Sequence, residues 1–179
     1  AYSPKNYNRS YDGVVPANEA LSRSLNVPAV RMLDQYGLER FHHNLRELGL
    51  ESVRYPAEHY GLSLILGGAE TTLWELAGLY SGMARVLLNY SRSNGNYYRS
   101  DWHEPVINIQ NSQNNDSDNS YLEAEEQGML GAGAIWHTFE ALKELKRPDM
   151  EAGWKFLESS RKIAWKTGTS FGFRDGWAI

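Results

Sequence analysis

An α+β fold is predicted by three features of this 179-residue chain. Helical periodicity dominates the sequence as far as Leu145. Strand-like runs gather late, at Ile163-Ala164-Trp165 leading into Lys166, and at Asp175-Gly176-Trp177-Ala178-Ile179. Between them, Ser170-Phe171-Gly172-Phe173-Arg174 reads as a glycine-bearing turn, so the two runs form an antiparallel hairpin. About five helices and three or four strands are expected, helices first and the sheet mostly late.

Each element has a local reason. Residues 1–15 read as extended or looped, with Asp12-Gly13 marking a turn. Pro16 opens a helical pattern from Ala17 to Arg23, and Glu19 stands in its first turn, where the helix dipole favours an acid. That helix stops near Ser24-Leu25-Asn26. Asn26 is a good N-cap, and Pro28 is tolerated in the first turn of a second helix, Ala29 to Tyr36, which ends at Gly37. A third, Glu39 to Leu48, places Phe41, Leu45 and Leu48 at helical spacing and stops at Gly49. Leu62-Ser63-Leu64-Ile65-Leu66 is a short apolar run ending at Gly67-Gly68. Thr72 and Glu75 match a capping box for the strongest helix, about Thr72 to Leu88, with Leu73, Leu76, Ala77, Tyr80 and Ala84 down one side. Pro105 to Gln110 alternates as a strand. Asn111 to Ser120, made only of Asn, Ser, Gln and Asp, reads as a mobile surface loop. Leu130 to Leu145 forms a second long helix, broken by Arg147-Pro148-Asp149. Trp74, Tyr80, Trp136 and Phe139, at helical spacings, are expected in the core.

Composition narrows the function. With 41% hydrophobic residues, the chain suits one domain with a real core. A net charge of −4 and no Lys/Arg-rich block disfavour nucleic acid as a partner. Zero cysteines exclude disulfides and thiolate metal sites. No run approaches the roughly 18 apolar residues of a membrane span. His42-His43, His59, His103 and His137 lack metal-ligand spacing and read as solvated helix or loop positions. Asp116 and Asp118 lack the glycine of a calcium loop, so no metal and no cofactor is expected. The polar opening Ala1–Asn8 and the strand-like close at Trp177-Ala178-Ile179 read as internal segments of a longer chain. Such a piece is expected to expose apolar surface and unpaired strand, and so to be marginally stable or to self-associate.

The chemistry concentrates at Lys166-Thr167-Gly168-Thr169. A lysine, a hydroxyl, a glycine and a second hydroxyl on a strand entering a turn make a compact anion-binding edge. Side-chain donors and close backbone approach are both available there. Lys-Thr-Gly is also one of three motifs, with Ser-x-x-Lys and Ser-x-Asn, of the serine acyltransferases that react with penicillin. Ser-x-Asn occurs at Ser24-Leu25-Asn26, Ser112-Gln113-Asn114 and Ser117-Asp118-Asn119. The last is the literal Ser-Asp-Asn, yet it lies in the low-complexity loop, where no helix holds it to the roughly half-ångström tolerance catalysis needs. Ser24 sits in a tight turn between two helices, the setting such a residue requires. Plain helix capping also accounts for Ser24 and Asn26. Ser-x-x-Lys occurs once, at Ser159-Ser160-Arg161-Lys162, directly before the Lys166 strand and on no long helix, and reads as coincidence. The nucleophile is then absent from this chain.

Taken together, Ala20–Val30, Gly61–Leu73 and Ala164–Ile179 resemble bifunctional class A penicillin-binding proteins, the 1C type in particular. The resemblance implies a β-lactamase/transpeptidase-like fold, helices packed on an antiparallel sheet and incomplete at both ends. Residues 1–179 are then a partial transpeptidase domain without its Ser-x-x-Lys segment and closing strands. It further implies an enzyme at the periplasmic face of the bacterial inner membrane, held there only by parts outside this chain. Such an enzyme cross-links peptidoglycan stem peptides ending in D-Ala-D-Ala through a serine acyl-enzyme, and it binds β-lactams. By motif, Ser24 relays a proton to the departing D-alanine and Asn26 hydrogen-bonds the substrate backbone. Lys166 supplies positive potential, Thr167 and Thr169 hold the substrate carboxylate, and Gly168 lets the substrate lie against the strand. A non-catalytic peptidoglycan- or partner-binding module of this fold, or a D,D-carboxypeptidase or β-lactamase, are the alternatives.

Overall fold

Residues 4–7, 9–106, 128–144, 163–169 and 176–179 are described by the computed structural model. Within them lie α1 (Ala17–Ser22), α2 (Asn26–Tyr36), α3 (Leu38–Glu47), α4 (Ala57–Tyr60), α5 (Leu73–Arg92) and α6 (Ala132–Lys143). Two short strands follow, β1 (Thr167–Thr169) antiparallel to β2 (Gly176–Ala178). The mixture of helix and antiparallel sheet, helices first, is the expected one. Of the expected Pro105–Gln110 strand, Pro105 and Val106 have no regular structure, and the remainder lies outside the described residues. So do the Asn111–Ser120 loop, the Arg147-Pro148-Asp149 break, the Ser159–Lys162 motif and the Ser170–Arg174 turn.

Two compact units divide the chain, and the division falls within α3 and within α6. The first comprises Ala1–His43, Arg54–Glu70 and Trp136–Ile179; the second comprises Asn44–Val53 and Thr71–Ile135.

In the first unit, α2 buries Val30 and Leu33 and packs against a 3-10 helix over Gly61–Leu66, whose Leu64 is also buried. The apolar run Leu62–Leu66 coils this way because its bonds close locally. Gly67 and Gly68 donate their N–H groups to Leu64 and Ser63 carbonyls at 3.3 and 3.0 Å. Gly67 adopts φ +88°, and a Cβ at Gly68 would meet Ser63 Oγ at 2.6 Å, so the Gly-Gly pair is required. Tyr60 is buried beside it, and its hydroxyl accepts from Tyr55 N–H at 3.2 Å. The His42 ring lies 5.9 Å from the Tyr60 ring, with Nε2 2.8 Å from the Tyr55 carbonyl. His42 is thus hydrogen-bonded and packed on one side while staying partly exposed.

In the second unit, α5 starts at the expected capping box. The Thr72 hydroxyl accepts from Glu75 N–H at 3.1 Å, and Thr72 N–H donates to the Glu75 carboxylate at 2.7 Å. That carboxylate also accepts from Ser52 N–H at 2.6 Å and from the Thr71 hydroxyl at 3.1 Å. Burial pushes the Glu75 carboxyl up, but these hydrogen bonds outweigh it and hold the group at about 2.

The apolar stripe of α5 is not its buried face. Leu73, Ala77 and Ala84 are exposed and Leu76 and Tyr80 half-buried, whereas the fully buried residues are Gly82 and Val86, on the opposite side of the helix. Close backbone approach decides the orientation. A Cβ at Gly82 would meet the Trp102 ring at 2.7 Å, and one at Gly78 would meet Pro105 at 3.3 Å. Arg85 secures the same segment, donating to the Asp101 and His103 carbonyls at 2.6 and 2.7 Å. The buried Asp101 carboxylate accepts from Asn89 and from Tyr98 N–H. Trp74 and Trp136, expected in the core, remain 40% and 51% exposed.

Glu75→Ala is expected to cost about 1–2 kcal/mol, because it opens the capping box and strands the Thr72 and Ser52 N–H groups that the carboxylate accepts from. The Glu75 pKa is lowered from 4.5, so its stabilisation is full above that pH and is lost as pH falls toward about 2. Urea melts between these limits should show a wild-type decline steeper than that of Glu75→Gln; equal slopes would contradict the hydrogen-bond set.

Candidate active site

Ser24 is placed by the way α1 ends. Its N–H donates to the Leu21 carbonyl at 3.1 Å, and the Leu25 N–H donates to the Ala20 carbonyl at 2.9 Å, the two bonds of a Schellman motif. Glycine usually occupies the left-handed position of that motif. Here Ser24 does, at φ +53°. Arg23, the residue before it, forms an ion pair with Asp12 and lies 3.8 Å from Glu19. α2 begins two residues later, so the Ser24 hydroxyl is held at an exposed corner between two helices.

Lys166 is placed by the hairpin. Its N–H and carbonyl exchange hydrogen bonds with Ile179 at 2.6 and 3.0 Å, which extends the β1–β2 ladder by one pair. Its ammonium donates to Ser24 Oγ at 2.5 Å and to the Thr167 carbonyl at 2.6 Å. Burial pushes this ammonium below the usual lysine range. The site is thus a half-buried amine against a hydroxyl 142 positions away in sequence.

Because Lys166 and Ile179 form a hydrogen-bonded pair, alternation fixes the rest of the ladder. Gly168 bonds toward Trp177, whereas the backbone N–H and C=O of Thr167 and Thr169 point away from β2. That outer edge has no strand partner among the described residues, and Thr167, Gly168 and Thr169 are all exposed. The Thr167 and Thr169 side chains share one face and that of Lys166 takes the other. Folding makes no demand for glycine at 168, since a Cβ there meets only Trp177 Cβ at 4.0 Å.

The expected residues are therefore brought together unequally. Ser24 and Lys166 touch directly. Asn26 is adjacent in sequence, but its side chain donates to the Lys5 carbonyl at 3.0 Å. It is also not the N-cap. Leu25 holds that position without a side-chain hydrogen bond, and Asn26 is the first residue of α2. The missing cap comes from Asn6, whose Oδ1 accepts from Val27 N–H at 3.1 Å. Neither the Asn6 cap nor the pairing of Asp12 with Arg23 is visible in the sequence, because each acts at a distance no local pattern reveals. A cavity of about 330 Å³ against α2, bordered by Val27, Val30 and Arg31, includes neither Ser24 nor Lys166.

Along its whole length the chain is related to penicillin-binding proteins. It is 32% identical over 178 residues to penicillin-binding protein 1C of Escherichia coli, covering 99% of this chain and 20% of that protein. Penicillin-binding protein 1B of Vibrio cholerae is 28% identical, covering 100% of this chain and 21% of its own. Penicillin-binding protein 1A of Neisseria cinerea is 27% identical, covering 99% and 21%. The homologues of this chain are class A penicillin-binding proteins of the 1C, 1B and 1A types. The chain spans about a fifth of the length of these curated relatives. No family model matches it.

Ser24→Gly and Ser24→Ala remove the same hydroxyl but differ in tolerance of a positive φ. Ser24→Gly should be the more stable by about 1 kcal/mol in thermal or urea melts. Equal stabilities would mean that the left-handed turn is not kept in solution.

Proposed function

We propose that residues 1–179 form part of the transpeptidase domain of a peptidoglycan D,D-transpeptidase. The enzyme cross-links stem peptides ending in D-Ala-D-Ala through a serine acyl-enzyme and is acylated by penicillin. One observation carries this reading: the 2.5 Å hydrogen bond from Lys166 Nζ to Ser24 Oγ, which joins the Ser-x-Asn and Lys-Thr-Gly motifs at one point. Relatedness to penicillin-binding proteins over the whole chain supports it.

In this mechanism the nucleophilic serine belongs to a part of the enzyme outside this chain. Its oxygen attacks the carbonyl of the penultimate D-alanine, the C–N bond to the terminal D-alanine breaks, and the leaving amine takes up the proton that the serine loses. Ser24 passes that proton along, accepting it on one side and donating on the other. Lys166 sets a positive potential over the transfer, and its contact with Ser24 keeps the hydroxyl in line. Thr167 and Thr169 hold the substrate carboxylate. The outward Thr169 N–H supplies one oxyanion donor, a contribution of about 3 kcal/mol in acyl transfer. Gly168 leaves the outer edge of β1 flat, so the peptide adds as a further strand. Asn26 keeps its amide oxygen and one N–H for the substrate backbone. On the same reading the protein works at the periplasmic face of the bacterial inner membrane; among the described residues no helix is long and apolar enough to cross a membrane.

Labelled penicillin should mark the full-length protein covalently but not the 179-residue chain alone. In the full-length protein, Ser24→Ala should slow acylation by about a hundredfold or more. An unlabelled full-length protein points instead to a non-catalytic module of this fold, and an unchanged rate in Ser24→Ala removes Ser24 from the mechanism.

The pH dependence follows from Lys166. The mechanism needs the ammonium, which is lost as pH rises through its lowered pKa. The alkaline limb of acylation should therefore set in below the ordinary lysine value and move upward in Lys166→Arg; an unmoved limb would show that another group titrates.

A further inference from the structure

Ahead of α1, a strap through Lys5 and Asn6 is tied to the start of α2 by two side chains, Asn26 of the Ser-x-Asn motif and Asn6, which lies outside all three motifs. Asn6 is only 7% exposed. Its Oδ1 accepts from Val27 N–H at 3.1 Å, its Nδ2 donates to the Ser10 carbonyl at 2.9 Å, and its own carbonyl accepts from Arg9 N–H at 2.9 Å. A reciprocal bond runs from Asn26 Nδ2 to the Lys5 carbonyl at 3.0 Å. The strap and the helix start are thus cross-linked at consecutive residues, Lys5 with Asn26 and Asn6 with Val27. Without this α2 would have no side-chain cap, since Leu25 offers no acceptor.

We propose that Asn6 is the positioning residue of the Ser24–Asn26 corner, an inference that rests on the transpeptidase reading above. It acts by two routes. Accepting from Val27 N–H fixes where α2 begins, and with it the left-handed turn at Ser24 that meets Lys166. Closing the Asn6–Ser10 turn holds the Lys5 carbonyl toward Asn26, which uses one N–H of that amide and sets the direction of the rest. The first route needs an acceptor and the second a donor, both on one short side chain. Asparagine has both, aspartate keeps the acceptor, and alanine has neither. Asn6 itself touches none of the reacting atoms.

The test uses the full-length protein and reads the rate of acylation by fluorescent penicillin per folded molecule, with folding followed by circular dichroism. Asn6→Ala should slow acylation about ten- to a hundredfold while the protein stays folded, the penalty of a small misplacement. Asn6→Asp, which keeps the Val27 contact but has no donor for the Ser10 carbonyl, should recover part of that loss, and no recovery at all would count against the helix-start route. In a Ser24→Ala background, Asn6→Ala should add much less, because most of its effect runs through that hydroxyl; a general packing defect adds fully in both backgrounds. Should Asn6→Ala fail to fold, Asn6→Ser takes its place, with a hydroxyl too short to reach Val27 and the same slowing expected. Wild-type rates in the folded variant, or full additivity with Ser24→Ala, would overturn the positioning role alone. A wild-type protein that penicillin does not label overturns the transpeptidase reading, and this inference with it.

Discussion

The contact between the Lys166 ammonium and the Ser24 hydroxyl constrains most of the first unit, because neither group reaches the other unless its own support is in place. On one side, α1 has to end in a turn that projects residue 24 outward. A Schellman closure does this, with two backbone bonds formed and a left-handed residue required. Serine in that conformation costs about 1 kcal/mol relative to glycine. For folding alone, glycine is the better residue. The strain has a local return, because the projected hydroxyl is the one that Lys166 meets. An observed outlier at a corner bearing a motif is a reason to look for function, which is the direction such an argument can run.

On the other side, Lys166 is held by its backbone pair with Ile179 and so inherits whatever rigidity the hairpin has. Its side chain crosses from an exposed strand to a half-buried contact. Burial disfavours the charged form, while the Ser24 hydroxyl and the Thr167 carbonyl each accept a hydrogen bond from it. An amine so placed gives up its proton at lower pH than one in water, yet stays fixed in direction. That combination suits a group that tunes a neighbouring hydroxyl better than one that merely attracts anions from a distance.

Local chemistry made much of this legible in the sequence. Thr72 and Glu75 are three residues apart and cap α5 as their spacing predicts, and Gly37 and Gly49 follow the ends of α2 and α3 in positive φ. Ser24 and Lys166 were paired by motif, and the structure puts them in contact. What failed depended on partners far along the chain. The cap of α2 is supplied from 21 residues upstream, so Asn26 was read as the cap when Asn6 does that work. The stripe on α5 misled because burial there follows close backbone approach at Gly82 against Trp102, and glycine carries no hydropathy signal. The hydrogen bond of His42 has no local signal because its partner, the Tyr55 carbonyl, is thirteen residues away.

The outer edge of β1 shows how one residue type serves two needs. Unpaired strand edges invite association with other chains, and short length is among the ways proteins limit that risk. β1 is three residues long, and the Lys166 ammonium already occupies the Thr167 carbonyl at its start. Among the described residues of β1, Thr167 and Thr169 offer outward backbone groups, and the acceptor at Thr167 is already taken. A short extended peptide with a terminal carboxylate meets a different surface. It finds two hydroxyls on one face and an outward N–H at Thr169. A cation beside Ser24 borders the same edge, and no side chain at Gly168 stands in its way. Under the proposed function, the lysine that takes the Thr167 acceptor is also the cation that such a peptide would meet.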